Sequence, residues 1–148
     1  MNLIRMSVLL VGLAVLVTVG CASHPPFPES SLTGRIVEVK VGESLTPKKI
    51  TAKQGDEVKW VNTTSTPVDI SFDESLDNIV SCQKGFVYTG WGYLFGSEEL
   101  ECLVIARLHS SDYASLCFST PGTSAYNVRR DMGTTGSATK LAGTITIE

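Results

Sequence analysis

The sequence predicts an all-β protein, a sandwich of short antiparallel strands. Two observations carry that expectation. Apolar and polar residues alternate at period two in several separate stretches, so successive side chains would fall on opposite faces of an extended chain. Gly, Pro and Asn punctuate those stretches at turn positions, and internal repeats are absent.

The elements follow in order. In Ile36-Val37-Glu38-Val39-Lys40-Val41, the valines share one face and Glu38 and Lys40 the other. Pro47 and the Lys48-Lys49 pair interrupt the pattern, and Ile50-Thr51-Ala52-Lys53 then runs into a turn at Gln54-Gly55-Asp56. Val58 and Trp60 alternate with Glu57 and Lys59, as Val68, Ile70 and Phe72 do with Asp69 and Ser71. The run Leu100–Leu108 is ambiguous, because Leu100, Leu103, Val104 and Leu108 fit a helical face while period two fits as well. A strand is favoured, since Ser110-Ser111-Asp112 reads as a hairpin turn into Tyr113–Phe118. That hairpin would set Leu103 opposite Phe118 and Ile105 opposite Leu116. In the closing segment Gly143-Thr144-Ile145-Thr146-Ile147-Glu148, both isoleucines would point inward.

Four of these segments also resemble a known family. Gly55-Asp56-Glu57-Val58-Lys59-Trp60-Val61-Asn62 and Pro67-Val68-Asp69-Ile70-Ser71-Phe72-Asp73 are similar to the first half of a cupredoxin, the plastocyanin-like blue-copper family. That family typically reads G-D-x-V-x-W/F-x-N, then a loop, then P-H-N-I-V-F-D. Phe118-Ser119-Thr120-Pro121-Gly122-Thr123-Ser124-Ala125-Tyr126 resembles its F-x-x-P-G-T-Y-x-Y hairpin, and Gly143–Glu148 its closing G-x-I-x-V strand. The resemblance spans Arg35–Asp73 and Ala114–Glu148 and implies a cupredoxin-like Greek-key β-sandwich. A long insertion, 74–112, would separate the two motif halves.

The same resemblance implies a metal site that these residues do not supply. Type 1 copper takes a Cys thiolate, two His imidazoles and usually a weak axial Met. Val68 stands at the first His position, and alignment on Tyr126 puts Val128 at the Cys and Asp131 at the second His; the axial Met falls on Leu141. The chain has 2 histidines, and His24 lies far upstream, which leaves His109 alone in the domain. The expectation is therefore no metal and no cofactor. The alternative is a copper-binding or electron-transfer protein with an atypical ligand set drawn from Cys82, Cys117, His109 and Met132. Against it, no ligand spacing such as C-x-x-C is present, His109 reads as an exposed turn residue and Met132 as a loop residue. No carboxylate pair or nucleophile motif suggests an enzyme. Asn62-Thr63-Thr64 matches a glycosylation sequon, but the resemblance reads Asn62 as a strand-end residue of the family.

Upstream of the domain the sequence reads as an export signal. Arg5 supplies a positive start and Met6–Gly20 a nearly unbroken apolar run, short for a span that needs about 20 apolar residues. Thr18-Val19-Gly20-Cys21 resembles a bacterial lipobox, with Thr18 where Leu is usual. Residues 1–20 would then be the signal peptide, Cys21 the lipidated residue and 21–34 a tether stiffened by Pro25, Pro26 and Pro28, ahead of a domain over 35–148. A plain secretory signal with an incidental Cys is the alternative. Several acyl chains anchor stably where one is marginal. Ala22-Ser23 after the Cys matches the outer-membrane type of bacterial lipoprotein, so the expected location is the bacterial cell envelope, facing the periplasm. A net charge of −3 with 18% charged residues argues against a nucleic-acid partner, which calls for a basic face.

Beyond Cys21, three cysteines remain, an odd number in a compartment where disulfides persist. In the hairpin register above, Cys102 faces Ser119 and Cys117 faces Val104, a diagonal offset unsuited to bonding. The expected disulfide is Cys82–Cys102, a loop of about twenty residues worth on the order of 3 kcal/mol. Cys117 would be a free thiol, buried as a small hydrophobe or, in a further reading, redox-active. Arg129-Arg130-Asp131 occupies the place of the family's copper loop, as a solvated charged turn or as an anion- or partner-binding rim. Trp91, Tyr93 and Phe95 alternate in the insertion, where they would cover the core or offer a surface to an envelope protein.

Overall fold

The computed structural model describes residues 32–76, 79–90, 102–130 and 138–148. Their strands are β1 (Ile36–Val41), β2 (Leu45–Thr46), β3 (Lys49–Ala52), β4 (Glu57–Asn62), β5 (Val68–Phe72), β6 (Val80–Lys84), β7 (Val87–Gly90), β8 (Cys102–Leu108), β9 (Tyr113–Phe118), β10 (Gly122–Arg130) and β11 (Thr139–Ile147). They form two sheets, ordered β2-β1-β4-β9-β6 and β3-β11-β10-β5-β8-β7. The sandwich is not wholly antiparallel: β1 pairs with β4 and β3 with β11 in parallel. Both arise because β2 and β3 carry the chain from the first sheet to the second before β4 returns.

Period two sets the interior as expected. Val39, Val41, Val58 and Trp60 of the first sheet face Val68, Ile70, Phe72, Ile145 and Ile147 of the second, all buried. At the centre Trp60 meets Phe72, Phe86 and Tyr126 edge-on, with centroids 5.9, 5.5 and 5.4 Å away. Such T-shaped contacts set the positive ring edge against the negative face. Phe86 reaches this cluster because Gly85, at φ +78°, turns the chain from β6 in one sheet to β7 in the other. On β11, Gly143 lies opposite Tyr126. A Cβ there would sit 2.3 Å from the ring's Cζ, so only glycine lets the ring lie flat against the neighbouring strand.

Two expectations are corrected. Leu100–Leu108 does hold a strand, but β8 and β9 do not pair: β8 runs between β5 and β7, and β9 between β4 and β6. The turn at Ser110-Ser111-Asp112 is an arch between sheets, with Ser111 at φ +67°. The buried face of β8 is accordingly Val104, Ala106 and Leu108, and Ile105 is only half-buried. Once β9 lies beside β6, the cysteine pairing changes with it. Cys82 is in register with Cys117, Cα atoms 4.9 Å apart, and the two form the disulfide. The expected Cys82–Cys102 bond and free Cys117 thiol are thus replaced, and Cys102 pairs across the other sheet with Gly90. With Cys82 and Cys117 separated by 35 residues, the bridge stabilises by about 4 kcal/mol in the chain-entropy model.

The end of the sandwich where the chain enters is organised by Asp56, which is 1% exposed. It accepts hydrogen bonds from the Thr33 hydroxyl at 2.5 Å and the Lys53 N–H at 2.8 Å, with Arg35 at 3.6 Å. Burial pushes its carboxyl up, but these partners outweigh burial and hold it below the ordinary value of 3.8. A carboxyl depressed in the folded state stabilises the fold above its unfolded pKa and loses that contribution as pH falls through the folded one. Acid unfolding of the native protein should therefore show a loss that sets in as pH falls into the ordinary Asp range and is complete only below it, and Asp56→Asn should flatten that part of the stability–pH curve in urea melts.

Candidate functional site

The far end of the sandwich gathers the positions that the family resemblance singles out. Here β4 ends at Asn62, β5 begins at Val68, β8 ends at Leu108 and β10 ends at Arg130. Val68 is 1% exposed and flanked in register by Leu108 and Arg130. Val128 is fully buried between Ile70 and Leu141, and Leu141 packs at the margin of the core. The aligned ligand positions that the structure describes thus carry hydrocarbon, with no lone pair to offer a metal. Asp131 and Met132 lie outside the described residues.

A fixed positive charge stands beside them. Ser124, Tyr126, Val128 and Arg130 are the inward-facing series of β10, so alternation carries the Arg130 guanidinium to the mouth of the interior, where the residue is 8% exposed. Its Nη1 and Nη2 donate to the two carboxylate oxygens of Glu43 at 2.8 and 3.2 Å, a fork-to-fork pair. Arg130 holds the Glu43 carboxyl below its ordinary value through those hydrogen bonds and its charge. Arginine keeps its proton at any physiological pH. The polar side chain beside Val68 is thus a guanidinium, which has donors only and no lone pair for a metal.

Asn62 fixes the loops around this end. Its Nδ2 donates to the carbonyls of Thr66 (2.8 Å), Leu108 (3.1 Å) and His109 (3.1 Å), and its Oδ1 accepts from the Thr64 N–H (2.9 Å) and hydroxyl (2.8 Å). The side chain is wholly buried, so the sequon is closed to a glycosyl donor in the folded protein. A shallow groove of about 530 Å³ opens between the 63–66 loop, Gly42, Glu43 and Arg130.

The other residues singled out by sequence are not brought together here. His109 is exposed in the arch, its N–H donating to Asp112 Oδ2 at 3.1 Å. Cys82 and Cys117 are bonded to each other, which removes both thiolates from the atypical copper set and Cys117 from a thiol-redox role. No group of three or more His, Cys, Asp or Glu side chains that could hold a metal occurs among the described residues. Arg129 is exposed on the outer face with Arg107, both paired with Asp69 at 3.2 and 3.7 Å. Cys21, the 21–34 tether and Trp91, Tyr93 and Phe95 lie outside the described residues. Sequence reasoning missed the Arg130–Glu43 pair and the reach of Asn62. The first was readable, since Arg130 is two residues past Val128 on an alternating strand.

This architecture defines a cupredoxin-like fold. Among solved structures, the chain is similar to an oxidised methionine-to-lysine mutant of amicyanin, at 18% identity and a TM-score of 0.50 over 86% of this chain and 95% of that one. A reduced tryptophan-to-tyrosine mutant and the Cu(I) form of a methionine-to-alanine mutant of amicyanin match over the same shares, each at 16% identity and a TM-score of 0.50. No protein-family model matches the chain. No curated protein matches it either.

Proposed function

We propose that this chain is a lipid-anchored module of the bacterial cell envelope that keeps a cupredoxin-like sandwich without a type 1 copper site and acts by binding rather than catalysis. The observation that carries the reading is the filled pole: Val68 and Val128 are buried in hydrocarbon, and Arg130 sits in register beside Val68. Filling with hydrocarbon keeps the core dense, whereas a buried imidazole or thiolate without metal would need a partner. The lipid anchor rests on the apolar run ahead of Cys21, and the periplasmic side of the outer membrane on Ala22-Ser23. An envelope partner would meet the aromatic segment Trp91, Tyr93 and Phe95, between β7 and β8.

Titration of the purified full chain with cupric ion tests the central point. The expected result is no intense blue absorption and no copper retained after desalting; a blue band saturating at one equivalent per chain would overturn it. Palmitate labelling tests the anchor separately. Label and membrane fractionation should both be lost in Cys21→Ser, and a wild-type chain that takes up no label would refute lipidation.

A further inference from the structure

We propose that the groove at the filled pole is a carboxylate-binding site in which Glu43 holds the ligand's place. The proposal rests on the copper-free reading of that pole. Arg130 and Glu43 form a pair of unequal members. The arginine is almost wholly buried, at 10% side-chain exposure, whereas Glu43 is at 91%. Glu43 therefore meets the guanidinium from the solvent side and can swing away without uncovering any core. Arg130 cannot follow it, because its place in the inward series of β10 fixes it at the mouth of the interior.

The groove offers more donors than Glu43 uses. Glu43 engages only the two Nη atoms end-on, and Arg130 Nε is buried with no acceptor. On the facing loop, the Thr63 and Thr64 hydroxyls are committed to the Val41 carbonyl and to Asn62 and Thr66. Ser65 and Thr66 line the same groove, and their hydroxyls make no hydrogen bond among the described residues. A buried guanidinium fork in a groove that Ser65 and Thr66 also line matches a planar carboxylate, and the seated Glu43 shows that the fork accepts one. A tethered carboxylate competes at high effective concentration, so the native protein would hide the affinity that Glu43→Gln uncovers.

The test titrates the full chain in detergent with sodium acetate, against sodium chloride at matched ionic strength, by calorimetry and amide chemical shifts. Glu43→Gln should bind acetate saturably and about tenfold more tightly than the native chain, with shifts centred on residues 63–66. Glu43→Gln combined with Arg130→Lys, which keeps the charge but loses the fork, should lose that binding. Equal affinity in the native chain and Glu43→Gln, no saturation in either, or inorganic phosphate binding where acetate does not would each overturn the proposal. So would acetate binding that survives Arg130→Lys. Should the double variant not fold, the native and Glu43→Gln pair decides alone. A cupric titration of the same sample separates the two readings: absent acetate binding without a blue site removes this proposal only, and a blue site removes both.

Discussion

Gly143→Ala should destabilise the fold by about 3 kcal/mol or more, at the upper end of what overpacking a core costs. The added Cβ would lie 2.3 Å from Cζ, 2.4 Å from the hydroxyl oxygen and 2.6 Å from Cε1 of Tyr126. The ring has nowhere to go, because it is fully buried against Trp60 at 5.4 Å and Phe72 at 5.9 Å. Relief would need the β10–β11 pairing to spread, which breaks ladder hydrogen bonds along a strand pair running from Gly122↔Ile147 to Arg130↔Thr139. Urea melts measure the loss. In a Tyr126→Leu background the same alanine should cost far less, and a cost unchanged by that background would show that the ring is not the obstacle.

Asn62→Ala should cost about 3 to 5 kcal/mol, although it deletes no apolar contact of note. Five hydrogen bonds leave with the side chain. The penalty exceeds their net worth because the Leu108 carbonyl, deep at the end of β8, is left without that donor. Three connections are affected at once: the 63–67 loop, the 109–112 arch and the start of β5. Hydrogen exchange should show the amides of Thr64, Ser111 and Asp112 opening ahead of the core in Asn62→Ala. Uniform exchange at the global rate would mean that Asn62 supports the whole fold and not these loops in particular.

The strands were legible because each half-buried segment shows its alternation openly; Val39, Trp60, Ile70 and Ile145 all face the way their neighbours predict. What alternation does not encode is the partner. In Cys102-Leu103-Val104-Ile105-Ala106 every position is apolar, so the pattern chooses neither a face nor a sheet, and proximity in sequence suggested a hairpin that the arch at Ser111 denies. The disulfide error followed from that single step, since Cys117 meets Cys82 only once β9 lies against β6. The pole was half legible. Val68 and Val128 could be read from motif positions alone. Arg130 looked like a charged turn because charge normally marks solvent, yet its place in the series Ser124, Tyr126, Val128 outweighs that habit once Glu43 neutralises it.

Gly90, the last residue of β7, and Cys102, the first of β8, face each other in register. The two ends of that connection are thus held one strand spacing apart, so added length there costs the rest of the domain little. Selection can rewrite that connection, lengthen it or exchange it wholesale while Trp60 and its neighbours stay as they are. New specificity could thus accumulate at one rim of an old scaffold without renegotiating its stability.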